Sequence, residues 1–256
     1  MAQVNEKDKP ISPRRPGKVL SPKKSGGNIS SQKTVDAFLA KVARTPVVSH
    51  KESGSRSRLI FALDATASRS PSWDSACDLQ GQMFTETAGL GGLSIQLCYY
   101  RGFNGFHSSN WHTDTHTLLN EMSGVRCLGG HTQIAKVLSH GLKETQQDPV
   151  RALVFIGDAV EEKIDDLCNL AGQLGLLNVP VFIFQEGYDS MVRQAFEEIA
   201  RLSGGAYAPF DLSAAGQLRE LLTAVAVFAA GGRLALEKLG KKRGGAALRL
   251  TQQLKR

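Results

Sequence analysis

Three short fragments hold the residues best suited to chemistry: "DATAS" at 64–68, "GGHT" at 129–132 and "GD" at 157–158. Asp64, Thr66 and Ser68 occupy alternate positions directly after the apolar run "LIFAL", so a strand end would present one carboxylate and two hydroxyls together. Thr132 follows a glycine pair at the start of a helical pattern, and Asp158 closes the apolar run "ALVFIG". Carboxylate and hydroxyl oxygens are hard ligands, and no histidine or thiolate is needed beside them. That mix suits Mg²⁺, with Mn²⁺ or Ca²⁺ as alternatives. Each fragment alone also reads as capping, since Asp64, Ser68, Ser70 or Thr132 could accept from the amides of a first helical turn. The order of all three, each at the proper end of an element, favours convergence.

The elements that must position them alternate from Arg58 onward. Strand-like runs "RLIFALDA", "LSIQLCYYRG", "RALVFIGD", "VPVFIFQEG" and "AYAPFD" are separated by helical patterns such as "QIAKVLSHGLKE" and "SMVRQAFEEIARLSGG". Parallel strands need crossover helices, so this predicts an α/β fold. It is a three-layer Rossmann-like open sheet, mostly parallel, with helices on both faces. "GFHSSNWHT" reads as a short antiparallel edge strand, and "SWDSACDLQGQMFTETAG" as a helix stopped by Gly89 to Gly92. In such a sheet ligands bind beyond the carboxyl ends of the strands, where strand order reverses, and there the three fragments fall.

Charge divides the chain of 256 residues into segments. Residues 1–58 carry a net +9, residues 59–231 a net −9 and residues 232–256 a net +7. Residues 1–30, rich in Lys, Pro, Ser and Gly, read as a disordered basic tail. Residues 31–57 read as an amphipathic helix, with Val35, Phe38, Leu39 and Val42 on one stripe, followed by a linker. Residues 58–231 form the predicted domain, and 232–256 a basic C-terminal extension with a weak helical signal through Leu248, Leu250 and Leu254. No apolar run reaches the roughly 18 residues of a membrane span. The amino terminus lacks a signal-peptide core. Four scattered cysteines suit reduced thiols. Together these predict a cytoplasmic protein.

"DATAS", "GGHT" and "FIGD", in this order, resemble the von Willebrand factor A (VWA) family of the bacterial intracellular type. Its metal-ion-dependent adhesion site (MIDAS) reads D-x-[ST]-x-S, then a distant Thr, then an Asp after the fourth strand. "IARLSGGAYAPFD" also looks like the family's penultimate helix and last strand, and the resemblance spans about residues 58–231. It implies that Asp64 and Ser68 ligate a divalent ion, with Thr66 in the usual serine's place. It further implies Thr132 as a direct or water-mediated ligand and Asp158 acting through water. The implied function is a scaffold or adaptor in which an Asp or Glu of a protein partner completes the ion's coordination. "GDAVEE" departs from the family's usual glycine after the Asp. Glu161 and Glu162, with His131, then form a partner-binding rim, or the glutamates merely solvate the next helix.

Other readings are weaker. His112 and His116 have the i, i+4 spacing of helical metal ligands, but no third ligand supports zinc. A haloacid-dehalogenase-type phosphotransferase needs a second carboxylate where Thr66 stands, and no P-loop, GxSxG or GxGxxG occurs. A non-enzymatic role is therefore expected. The alternative function is RNA or other nucleic-acid binding through the basic tails, with "CYYRGFNGFH" as a stacking surface.

Overall fold

Burial on both faces decides which apolar runs occupy the centre of the sheet. β1 (Ser57–Asp64) is buried from Leu59 to Asp64, and β4 (Val150–Gly157) and β5 (Val181–Glu186) are buried nearly throughout. These are the continuous Val/Ile/Leu/Phe runs that a doubly covered parallel strand requires. In the computed structural model, residues 32–44, 56–70, 73, 74, 77, 92–210 and 215–243 are described. Predicted features at 1–30, the linker, most of the helix after Ser72 and the tail helix beyond Arg243 lie outside these residues.

Six strands form one sheet in the order β3-β2-β1-β4-β5-β6. β2 (Leu93–Arg101) and β6 (Ala206–Phe210) run parallel to their neighbours, and only β3 (Gly105–His112) is antiparallel. β3 lies at the edge and mixes partly buried with exposed residues, none fully buried, as an antiparallel strand open to solvent should. The chain leaves β1 towards β2 on one side and returns beside β1 on the other with β4. The order reverses there, at the carboxyl ends of β1 and β4, which is where open α/β sheets bind their ligands.

Side-chain alternation along β1 builds two cores. Leu59, Phe61 and Leu63 face one layer, and Ile60 and Ala62 the other. The second layer holds α3 (Ile134–Gln147), α4 (Ile164–Leu176) and α5 (Ser190–Leu202). The first holds α1 (Gln32–Arg44), α2 (Thr115–Ser123) and α6 (Ala215–Arg243). α1 buries Phe38, Leu39 and Val42, with the Phe38 ring 5.3 Å from Phe184 and 6.2 Å from Phe182. Three such side chains at about 1.5–3 kcal/mol each are enough to fix a short helix onto the sheet. α6 continues past the predicted boundary at 231, breaking at Gly232 (φ 67°, ψ −167°), and Ala235 and Leu236 beyond the break are buried. No helix among the described residues is long and apolar enough to cross a membrane.

The helical His112/His116 pair is not formed. His112 ends β3, where its Nε2 meets Glu121, while His116 starts α2. The turn at Thr113–Asp114 separates them, because Asp114 caps α2 by accepting from the Thr117 N–H at 2.9 Å.

Candidate metal centre

Asp64 is the last residue of β1 and is only 2% exposed. Its Oδ1 accepts the Thr66 N–H at 2.7 Å, and its Oδ2 accepts the Tyr100 hydroxyl at 3.0 Å. Burial pushes its carboxyl above the ordinary carboxylate range. The Thr66 hydrogen bonds pull it down, Asp158 pushes it up again, and the Tyr100 bond pulls it down. The turn after Asp64 leads into a single 3-10 turn, Ala67–Arg69. Across it the Thr66 and Ser68 hydroxyl oxygens lie 3.4 Å apart, and Ser68 Oγ donates to Asp158 Oδ2 at 3.0 Å. Four of the five expected ligands, Asp64, Thr66, Ser68 and Asp158, thus meet at the carboxyl ends of β1 and β4.

Thr132, the fifth, is turned to a different set of partners. Its hydroxyl donates to Glu162 Oε2 at 2.9 Å and accepts the Glu161 N–H at 2.9 Å. Its own N–H donates to Glu161 Oε2 at 2.8 Å, and Glu162 Oε1 accepts the Ala135 N–H at 2.8 Å. The capping reading of Thr132 is therefore corrected. Gln133 is the N-cap of α3 without a side-chain cap bond, and Glu162 reaches over to satisfy a first-turn amide. The positive end of α3 favours that carboxylate. Burial nevertheless holds the Glu162 carboxyl above its ordinary value, while the Thr132 N–H holds exposed Glu161 below it.

The loop carrying Thr132 is locked to the β2–β3 turn. His131 N–H donates to Gly102 O at 3.2 Å, and a Cβ on Gly130 would stand 1.9 Å from that same oxygen. Gly130 is thus required by close backbone approach. His131 is largely exposed, with Nδ1 3.3 Å from Glu161 and its ring edge-on to Phe103 at 5.2 Å.

Two features escaped the sequence reading. Tyr100, expected to be core or a stacking residue, is fully buried and spends its hydroxyl on Asp64. With Cys98 buried and the Tyr99 ring stacked on His107 at 5.0 Å, the run 98–107 does not present a continuous stacking platform. Arg69, one residue after the motif, is buried and pairs with Glu186 at the end of β5, and its Nε has no partner among the described residues. The only sequence signal for this was an arginine embedded in a turn between two apolar elements.

Among the described residues, no three His, Cys, Asp or Glu side chains are grouped to hold a metal. An ion here would rest on two carboxylates and on hydroxyls. That donor set is all hard oxygen, spans the carboxyl ends of β1 and β4, and fits a small divalent cation that retains waters.

Neither a protein-family profile nor a curated protein matches the chain. Solved structures do. The SpRpn10 VWA domain is 15% identical, with a TM-score of 0.50, over 70% of this chain and 98% of that one. The D319A mutant of the PilB minor pilin from Streptococcus sanguinis is 10% identical, with a TM-score of 0.52, over 76% and 65%. Proximal thread matrix protein 1 from the mussel byssus, with a zinc-occupied MIDAS motif, is 11% identical, with a TM-score of 0.53, over 68% and 46%. This chain thus spans just under two thirds of that pilin and less than half of the byssus protein. The molecule has the VWA fold.

Proposed function

We propose that the chain is a VWA interaction module that binds a protein partner through a divalent cation. The reading is carried by one observation: Asp64, Thr66, Ser68 and Asp158 meet at the strand-order reversal. Asp64 and Ser68 would hold the ion, with Thr66 beside them and Asp158 reached through water. When bound, Mg²⁺ or Mn²⁺ supplies a charge that two carboxylates leave open to one further anionic oxygen. An Asp or Glu of the partner would provide it. The zinc-occupied MIDAS motif of the byssus protein lends general support to a divalent ion in this fold.

The surroundings favour a macromolecular partner over a small anion. Phe103, Leu128, Tyr188 and Met191 are each more than half exposed, and all lie in loops or first turns at the carboxyl edge of the sheet. Exposed apolar side chains gathered around a polar site are what a protein interface needs. The test is calorimetric titration of Mg²⁺ and Mn²⁺ into the wild-type chain and Asp64→Ala. Saturable binding is expected in the wild type and none in the variant. Absence of binding in the wild type, or equal binding in both, would overturn the metal reading.

A further inference from the structure

One residue of β2 grips the start of the ligand motif twice. Tyr100 stands directly beside Asp64 in the parallel register, and its carbonyl accepts the Ala65 N–H at 2.9 Å. The Ala65 carbonyl in turn accepts the Leu128 N–H at 3.0 Å, so the buried backbone that follows Asp64 is fixed on both sides. Only the side-chain torsions of Asp64 are then left to set. The Thr66 N–H holds Oδ1 at 2.7 Å and the Tyr100 hydroxyl holds Oδ2 at 3.0 Å, which together restrict the carboxylate to one orientation. An ionised carboxylate offers about four lone-pair sites, so two stay free for an ion.

The hydroxyl sits there at a cost. The Tyr100 ring is fully buried in the layer that holds Ile60, Ala62, Cys98 and Phe155, with its centroid 6.3 Å from that of Phe155. A phenylalanine would fill the same space without taking a polar group out of water. Among the described residues Asp64 is the hydroxyl's one hydrogen-bond partner. We infer that Tyr100 is a positioning residue for the cation: its hydroxyl presets the Asp64 carboxylate, so that an ion meets a ligand already oriented. This rests on the metal reading above and adds to it a residue outside the three motif fragments. Hydrogen-bond partners orient ligating side chains, and losing one costs about 10- to 100-fold in metal affinity.

The experiment is calorimetric titration of Mn²⁺ into the full chain as wild type, Tyr100→Phe, Tyr207→Phe and Asp64→Ala. Tyr100→Phe removes one oxygen and keeps the ring, and it should weaken binding by about tenfold. Tyr207→Phe is the matched control. It removes a hydroxyl that donates to Gln185 Oε1 at 2.7 Å between β6 and β5, and it should leave the affinity unchanged. A second readout separates positioning from packing. An ion that draws on the charge of Asp64 weakens the acceptor of the Tyr100 hydroxyl. Mg²⁺ should therefore shift the tyrosine ultraviolet band of the wild type and of Tyr207→Phe, and the shift should be missing in Tyr100→Phe. Unchanged or tighter Mn²⁺ binding in Tyr100→Phe, or an equal loss in Tyr207→Phe, would overturn the positioning role and leave the metal reading intact. So would a wild type that binds Mg²⁺ without a tyrosine shift, a result that stands even if Tyr100→Phe does not fold. No Mn²⁺ binding by the wild type, or equal binding by Asp64→Ala, would overturn the metal reading and the positioning role with it.

Discussion

The two ends of β1 treat charge in opposite ways. At the amino end of β1, Arg58 Nη2 meets Glu144 at 2.6 Å, and its Nη1 meets the Asp148 carbonyl at 2.7 Å. The guanidinium lies 3.8 Å over the Trp111 ring, and Trp111 Nε1 donates to the same Glu144 at 3.0 Å. Every strong donor there finds an acceptor, and charge meets opposite charge. At the carboxyl end of the same strand, Asp64 accepts from the neutral Thr66 N–H and Tyr100 hydroxyl, and a second carboxylate, Asp158, is held nearby through Ser68. Like charges gathered without a cation oppose each other and resist burial. The amino end is therefore closed upon itself as structure, and the carboxyl end would, on the proposed metal reading, take in positive charge.

The sharpest way to break this comparison is Glu144→Ala. It strips a partly buried guanidinium of its carboxylate and Trp111 of its acceptor, which should cost about 3 kcal/mol. Thermal unfolding should drop by roughly 10 °C. Mn²⁺ affinity at the far end should not change. A melting shift of under about 2 °C would show that the closed end contributes little, and the contrast would fail.

A smaller effect sharpens the other side. Gly130→Ala places a methyl carbon against the Gly102 carbonyl, and the backbone must give way at a cost of about 2 kcal/mol. Gly129→Ala, where a Cβ meets nothing within 4 Å, is the matched control and should stay within about 0.5 kcal/mol. Denaturant unfolding of the pair measures the difference directly. Equal stabilities would mean that the Thr132 loop is not fixed by the β2–β3 turn.

The sheet was legible because its strands are continuous apolar runs and its helices follow a separate period; a doubly covered parallel sheet writes both patterns plainly. The placement of Asp64 and Asp158 followed from the same logic, since strand ends can be read from where apolar runs stop. The partners of Thr132 could not be read. They depend on how far Glu161 and Glu162 reach across a gap of 30 residues, and no local pattern records that distance. Tyr100 was hidden for a related reason. Strand periodicity puts its ring in the core, but whether its hydroxyl ends beside Asp64 is set by the register of β2 on β1, which pairs the two residues directly. His112 falls in the edge strand where the run "GFHSSNWHT" puts it, and the i, i+4 spacing to His116 carries no helical meaning because Asp114, capping α2, places the helix start between the two histidines.

The smallest predicted effect tests the contrast at its centre. Asp64→Asn keeps the side-chain shape and can still accept from the Thr66 N–H or the Tyr100 hydroxyl, while removing a buried charge whose donors among the described residues are neutral. Because the folded carboxyl is held above its ordinary value of 3.8, the folded state holds that proton more tightly than the unfolded chain. Stability is then lost as pH rises from that value through the folded one, and the loss is complete above it. The asparagine variant has no such loss. Without metal it should exceed the wild type by about 1 kcal/mol at neutral pH, or roughly 2–4 °C in melting temperature. The gap should close as pH falls below the ordinary carboxylate range. Melting curves across pH in chelator measure it, and a variant less stable than the wild type at neutral pH would refute the account. Saturating Mn²⁺ should reverse the order, because only the wild type gains stability from an ion bound to its folded state. On the metal reading Asp64 would weaken the empty fold and strengthen the loaded one, and that sign reversal would separate the open end of β1 from the closed one.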